Sequence, residues 1–507
     1  LKFVTPGSSK TDKYKMMIFL NYQTEWLATG AGYDNVIGAL WVSPSTCQPT
    51  GSVIAHEIGH CFQYQVFCDN GGNSGWRYGF GGNDGNAFWE QTAQWQSFQN
   101  YPEQVFSNYN FTDYINGCYH STFHETPRYA NYFIHYYWVD KHGVDFIGKL
   151  WQQSGAVGKE DPAQAYMRIT GITLSQYNDE QFDYARKMVT WDLDALRSNG
   201  RNYIGSQTCN LNKTTDGYWQ VAKANCPENH GYNVIRLNVP AAGTIVTADF
   251  TGIAGESGYN AINVGYAGWL YGYVALQSDG TRVYSDVFSN NTGSAAFTVP
   301  DNCTDLWFVV SGAPTTYWPH AWDDNTTNDE QWPYKVKFAN TNLYGVIEFT
   351  DQDHPHDTSF VFNVSYKATA ASSADYSGTS VSVDLARLCY AFVLNTTEIT
   401  SNLGQPASSQ KIKFYGVNKD GSYYNSATAN GFGHWFDKDG NVTSWSTTGT
   451  NRVYSEFDEK NFKFTLGQHP GRCTAGDVYK IKQAMVYSPS TGNYYTATFE
   501  FNITITN

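Results

Sequence analysis

The stretch "SVIAHEIGHCFQYQ", Ser52 to Gln65, sets two histidines and a glutamate in an otherwise apolar run. A chain does not bury three such groups without a partner for them. His56 and His60 stand four residues apart, so an α-helix puts both on one face and lets their imidazole nitrogens converge on one point. That is the arrangement a tetrahedral Zn²⁺ takes. Glu57 follows the first histidine and leans over the side of the same point, placed to take a proton from a water held there. The small Ala55 and Gly59, with turn and N-cap chemistry from Pro49, Thr50 and Ser52, favour a helix over a chance string.

A hydrolytic zinc site needs a third protein ligand and an open position. Glu90, in "FWEQTAQW", lies thirty residues past His60 among Phe88, Trp89 and Trp95. A carboxylate in such apolar company calls for a cation. His120 and His124, four apart in "HSTFH", are the alternative third ligands.

The elements that must hold these residues are legible in outline. Strands are expected in "YKMMIFLNY" and "NVIGALWVSP". Helices are expected over residues 52–67, in "AFWEQTAQWQSFQ", from Thr126-Pro127 to Gly143, from Asp161-Pro162 to Gly171, and over 175–198. From about residue 202 no helical period is found, only alternating runs such as "NVIRLNVP", "LWFVVSG" and "YKVKFAN", divided by turn dipeptides. The polar segment "DQDHPHDTS" precedes a second all-β block. The expected plan is a multidomain α+β chain: a catalytic domain over 1–201, a β-sandwich over 202–350, a linker over 351–359 and a second β-sandwich over 360–507.

Composition narrows the partners. The 507 residues carry a net charge of −14 and contain no basic run, which argues against nucleic acid and anionic membrane. No apolar stretch reaches the length of a membrane span. Aromatics at 17% against 15% charged residues favour a folded, β-rich protein with aromatic surfaces. Nine cysteines leave at least one thiol unpaired; Cys209 and Cys226 flank a short loop and are a candidate bridge. The chain begins at Leu1 rather than Met, as after removal of a leader, which says nothing about export.

HExxH with a downstream glutamate resembles the gluzincin metallopeptidases, the thermolysin-like branch of the zincins. The resemblance implies a zincin-like fold for 1–201, with "GALWVSP" as an edge strand, and zinc held by His56, His60 and Glu90. Ala93 matches the small residue of the thermolysin-type motif. Gln94 stands where that motif has an aspartate, and its carbonyl is the expected acceptor for a ligating histidine's Nδ1–H. The phrases "GALWVSPSTCQPTGSVIAHEIGHCFQYQ" and "DEQWPYKVKF" are similar to a group of secreted gut-bacterial zincins. "TANGFGHWFDKDGNV" and "GQHPGRCTAGDVYKIKQA" resemble a β-domain appended to such exported proteins. The resemblance implies a location outside the cytoplasm: secreted, periplasmic or on a bacterial cell surface.

The implied reaction is peptide-bond hydrolysis with Glu57 as general base and then acid. For the developing oxyanion, the polar stripe Arg128, Asn131 and His135 on the expected third helix nominates His135, with Tyr132 second. Trp76, Arg77 and Tyr78, in the loop joining the ligand helices, are candidate substrate contacts. So is the backbone of Leu40, Trp41 and Val42, by strand addition to an extended peptide. "DDNTTNDEQW" and "DKDGN" are candidate Ca²⁺ loops, and Trp435 and Trp445 in the last domain are candidates for stacking on sugar rings. The expected substrate is a protein or glycoprotein. The rival expectations are a catalytically idle zincin serving as a glycan or host-protein adhesin, and a zinc hydrolase of a non-peptide bond.

Overall fold

The computed structural model describes residues 3–4, 7–71, 75–76, 78, 86–155, 160–349, 351–424 and 432–507. The chain is multidomain and mixes helices with several β-sheets, in two compact units, residues 1–341 and 342–507.

In the first unit, β1 (Met17–Leu20), β2 (Ala28–Tyr33) and β3 (Ile37–Val42) form a sheet of order β1-β3-β2. Asp34 and Asn35, both at positive φ, turn the chain from β2 into β3. The expected edge strand, β3, is therefore the centre: it pairs in parallel with β1 and antiparallel with β2. Its near-continuous burial is the mark of a strand covered on both sides. The free edge beside the histidine helix belongs to β2.

Helix α1 (Ser52–Asp69) lies on this sheet, with Gly51 at its N-cap. Contact is close enough that a Cβ on Gly30 of β2 would stand 1.9 Å from the Glu57 carbonyl oxygen, so only glycine fits there. Helix α2 (Asn86–Phe98) crosses α1 where Gly59 faces Ala93; a Cβ on Gly59 would lie 3.1 Å from the Ala93 Cα. Two small residues at the crossing let the backbones approach, which brings Glu90 to the histidines.

The rest of this region is α3 (Asn110–Gly117), α4 (Phe133–His142), α5 (Asp145–Gln152), α6 (Pro162–Thr170), α7 (Leu174–Val189) and the short α8 (Arg197–Gly200). Asp161 and Thr173 open α6 and α7 with full capping boxes. The helix expected from Thr126 begins only at Phe133, because residues 126–132 wind as turns. The helix expected to reach Ser198 stops at Val189, two residues before Trp191 takes a positive φ.

Strands begin at Leu211. One sheet has the order β10 (Thr292–Thr298), β7 (Ile245–Gly252), β12 (Tyr334–Ala339), β5 (Trp219–Val221), β4 (Leu211–Lys213). The other runs β6 (Tyr232–Leu237), β11 (Cys303–Gly312), β8 (Trp269–Gln277), β9 (Arg282–Tyr284). The β8 and β11 strands are buried on both faces. Towards the helices they present Val274, Trp307 and Val309, which share one core with Phe182 and Trp191. Towards the first sheet, Tyr271 stacks on Phe250 at 4.1 Å. The packing thus has three layers, and the change from helices to strands after residue 201 marks no gap in the core.

The second unit is a sandwich. Its sheets are β13 (Thr358–Lys367), β22 (Tyr495–Thr506), β21 (Val478–Tyr487), β15 (Ile412–Val417), β16 (Tyr423–Tyr424), and β14 (Ser377–Ser382), β20 (Lys463–Gln468), β19 (Val453–Asp458), β17 (Gly433–Phe436), β18 (Val442–Thr443). Phe499 and Ile481 from one sheet and Phe464 and Leu466 from the other build a shared apolar core. Contrary to the all-strand expectation, α9 (Leu385–Phe392) and α10 (Thr396–Leu403) cover it. Each is eight residues long, too short to show a sequence period, and each starts at a side-chain cap, Asp384 and Asn395. Among the described residues no helix is long and apolar enough to cross a membrane.

Candidate metal centre

His56 and His60 leave α1 on one face and meet Glu90 from α2. The Glu90 Oε2 lies 3.1 Å from His56 Nε2 and 3.3 Å from His60 Nε2. A tetrahedral Zn²⁺ with bonds near 2.05 Å has ligand-to-ligand edges of about 3.3 Å, so these spacings fit. All three residues are buried.

The histidine tautomer fits as well. Gln63 Oε1 sits 2.7 Å from His60 Nδ1, and the Gln63 amide is itself oriented by donating from Nε2 to the Trp89 carbonyl at 2.9 Å. The Gln63 oxygen therefore accepts, His60 Nδ1 carries the proton, and the Nε2 lone pair is left for a cation. Among the described residues the buried His56 Nδ1 has no hydrogen-bond partner. Gln94, expected to orient a histidine, lines the cavity but bonds to neither; Gln63, one turn beyond His60 on α1 itself, does that work.

Charge follows geometry. Burial pushes the Glu90 carboxyl up, but hydrogen bonds and charge from His56 and His60 outweigh it and hold the group well below the usual carboxylate range. Burial pushes His60 down, and Glu90, Glu57 and Gln63 together outweigh that and raise it. Glu57 is raised, chiefly by burial, against the opposing charges of His60 and His56. Its Oε2 accepts the Gly30 N–H at 2.7 Å, which ties the carboxylate to the edge strand.

These groups line a cavity of about 1070 Å³. Ala28, Thr29, Gly30 and Ala31 of β2 form one wall, and the exposed Trp26 and Tyr109 stand on its rim. The hydroxyls of Tyr78 and Tyr129 stand near the Glu90 carboxylate, and burial together with that charge raises both. Tyr129 escaped the sequence reading because it sits in an irregular turn and is one of 38 tyrosines with no spacing to mark it.

The other expected residues distribute unevenly. His135 is fully buried, stacked on Phe88 at 4.8 Å and 2.8 Å from Thr92 Oγ1; it is a core residue that burial pushes down to about 3. Tyr132 is equally buried and donates to the Val105 carbonyl at 2.5 Å. Neither lines the cavity. The stripe they belonged to dissolves because residues 126–132 are not helical: Asn131 bonds the Thr122 carbonyl and Arg128 stacks on Trp322. Leu40, Trp41 and Val42 have their backbone engaged on both sides of β3 and cannot accept a peptide. Trp76 is buried at the base of the cavity, its indole N–H on the Glu160 carbonyl, while Tyr78 stands half exposed. Arg77 lies outside the described residues.

All nine cysteines are free thiols, so Cys209 and Cys226 are not bridged. In the candidate calcium loops the oxygens serve their own turns. Asp323 accepts from Asn325 and Asn328, and Asp437 accepts the N–H groups of Asp439 and Asn441. Trp435 packs on Tyr454 at 4.9 Å, whereas Trp445 is exposed.

The chain belongs to DUF6055, a family of unknown function whose profile matches residues 1–345. Residues 375–493 match DUF4859, a domain of unknown function. No curated protein matches. Among solved structures it is similar to the CupB6 tip adhesin from Pseudomonas aeruginosa, at 10% identity over 54% of this chain and 90% of that one, with a TM-score of 0.16.

Proposed function

We propose that the first unit is a zincin-like hydrolase of the gluzincin type, a zinc metallopeptidase that cleaves internal peptide bonds of proteins or glycoproteins. The observation that carries this reading is the convergence of His56, His60 and Glu90 at zinc-ligand spacing, with Glu57 beside them and a large cavity in front. When bound there, zinc supplies Lewis-acid polarisation of a carbonyl and makes a water more acidic.

The residues supply the rest. Glu57, buried and raised, takes the proton from the attacking water and returns it to the leaving amine. The Gly30 N–H holds that carboxylate in place at 2.7 Å. The hydroxyl of Tyr129, whose pKa burial and Glu90 push up to about 12, stays protonated at neutral pH and is the donor for the developing oxyanion. An extended peptide would pair with the free edge of β2 rather than with β3. The aromatic rim of Trp26 and Tyr109 suits a substrate that carries sugar or aromatic groups. The likeness of the HExxH and tail phrases to exported proteins supports a role outside the cytoplasm.

The test is digestion of a mixed protein and glycoprotein library by native protein and by Glu57→Gln. New peptide termini from the native protein alone support the reading. Binding without products from either protein would instead favour an adhesin, and released sugars without new termini a hydrolase of a glycan bond.

A further inference from the structure

A second group of histidines and carboxylates lies inside the first unit, built from three separate loops. His120, His124 and Glu125 come from the segment between α3 and α4. Glu228 precedes β6, and His320 and Asp329 come from the connection between β11 and β12. Their side chains are between 1% and 14% exposed. His120 Nδ1 is 2.7 Å from Glu228 Oε1; His124 Nε2 is 3.7 Å from the same oxygen and 3.4 Å from Asp329 Oδ2. Behind them His320 Nε2 meets Glu125 Oε2 at 2.9 Å.

Two features set this group apart from an ordinary buried ion pair. Counting the neighbouring Glu330, which burial and the charge of Glu228 push up to about 7, four buried carboxylates gather round three imidazoles, a crowding of like charge that a low-dielectric interior penalises. The buried Asp329 Oδ1, on a side chain 7% exposed, has no hydrogen-bond partner among the described residues and stands 3.9 Å from His320 Nε2. A buried oxygen left without a donor costs free energy unless a cation reaches it.

We propose that His120, His124 and Glu228 hold a structural divalent cation of the zinc class, with the Asp329 carboxylate beside it, pinning the helical layer to the strands. The Glu228 Oε1 edges of 2.7 Å to His120 and 3.7 Å to His124 bracket the roughly 3.3 Å of a tetrahedral zinc site. Two imidazoles select zinc over calcium, which takes six to eight oxygens. Thr126 N–H donates to His124 Nδ1 at 2.9 Å, so without a cation the ring proton sits on Nε2. Loading moves that proton to Nδ1, moves the His120 proton that faces Glu228 from Nδ1 to Nε2, releases the Thr126 bond and shifts the turn at 124–126. No other reactant is needed.

Zinc counted by elemental analysis after dialysis tests this independently of the first centre. With His56→Ala and His60→Ala together, one equivalent should remain. Adding Glu228→Gln should remove it, and zinc should then cease to raise the Tm of the chelator-treated protein. A double variant with a native circular dichroism spectrum and no zinc overturns the proposal. Should the double variant not fold, Glu228→Gln in the otherwise native chain must bind one equivalent fewer than native; an unchanged count overturns it.

Discussion

The two histidine–carboxylate groups of the first unit use the same donor chemistry in different surroundings. His56, His60 and Glu90 stand on two helices and open on a cavity of about 1070 Å³ with a further carboxylate, Glu57, in reach. His120, His124, Glu228 and Asp329 stand on loops, with side chains at most 14% exposed. Zinc chemistry separates the two roles by this feature: a catalytic centre keeps a position free for water and substrate, and a structural one fills every position with protein. His135 is a third case, a histidine with neither carboxylate nor cavity, which burial keeps neutral.

The largest expected effect is at Glu57. The Glu57→Gln variant should lose about 10²–10⁴ in kcat while its zinc content stays native, as a general base predicts; loss of zinc together with activity would make Glu57 a ligand and break the contrast with Glu90. Next, Tyr129→Phe should lower kcat by about 10²-fold with little change in KM, because a donor to the oxyanion acts only in the transition state. Gln63→Ala should weaken zinc affinity at the first centre by about 10–100-fold, read by competition with a chromophoric chelator, whereas Gln94→Ala should leave it unchanged.

The smallest effect is on pH. His135 and His230 are both held near 3 by burial. Below about 6.5 the unfolded chain takes up protons that these folded residues refuse. Their contribution is therefore whole above 6.5 and is lost as pH falls towards 3, at up to about 1.4 kcal/mol per pH unit for each. Urea unfolding between pH 7 and 4.5 should show that slope, and His135→Phe should lessen it. An unchanged slope would mean that His135 is protonated in the fold.

Spacing along one helix is settled by chain geometry, so the sequence alone determined that His56 and His60 converge and that Glu57 stands beside them. It also placed Glu90 on the next helix, because a carboxylate among Phe88, Trp89 and Trp95 has few alternatives. The capping residue Asp161, with Pro162 behind it, announced α6 in the same local way. What tertiary structure decided is whatever depends on segments far apart in the chain. A run of apolar residues such as "GALWV" reads alike in a central and an edge strand, and only pairing with Met17–Leu20 made β3 central. Residues 126–132 carry helix-forming signals yet wind as turns, which sends His135 into the core and Tyr129 to the cavity. The second cluster draws on residues more than two hundred positions apart, and no local period can encode such a meeting. Local backbone preferences act within a few residues, whereas burial acts on the whole chain at once.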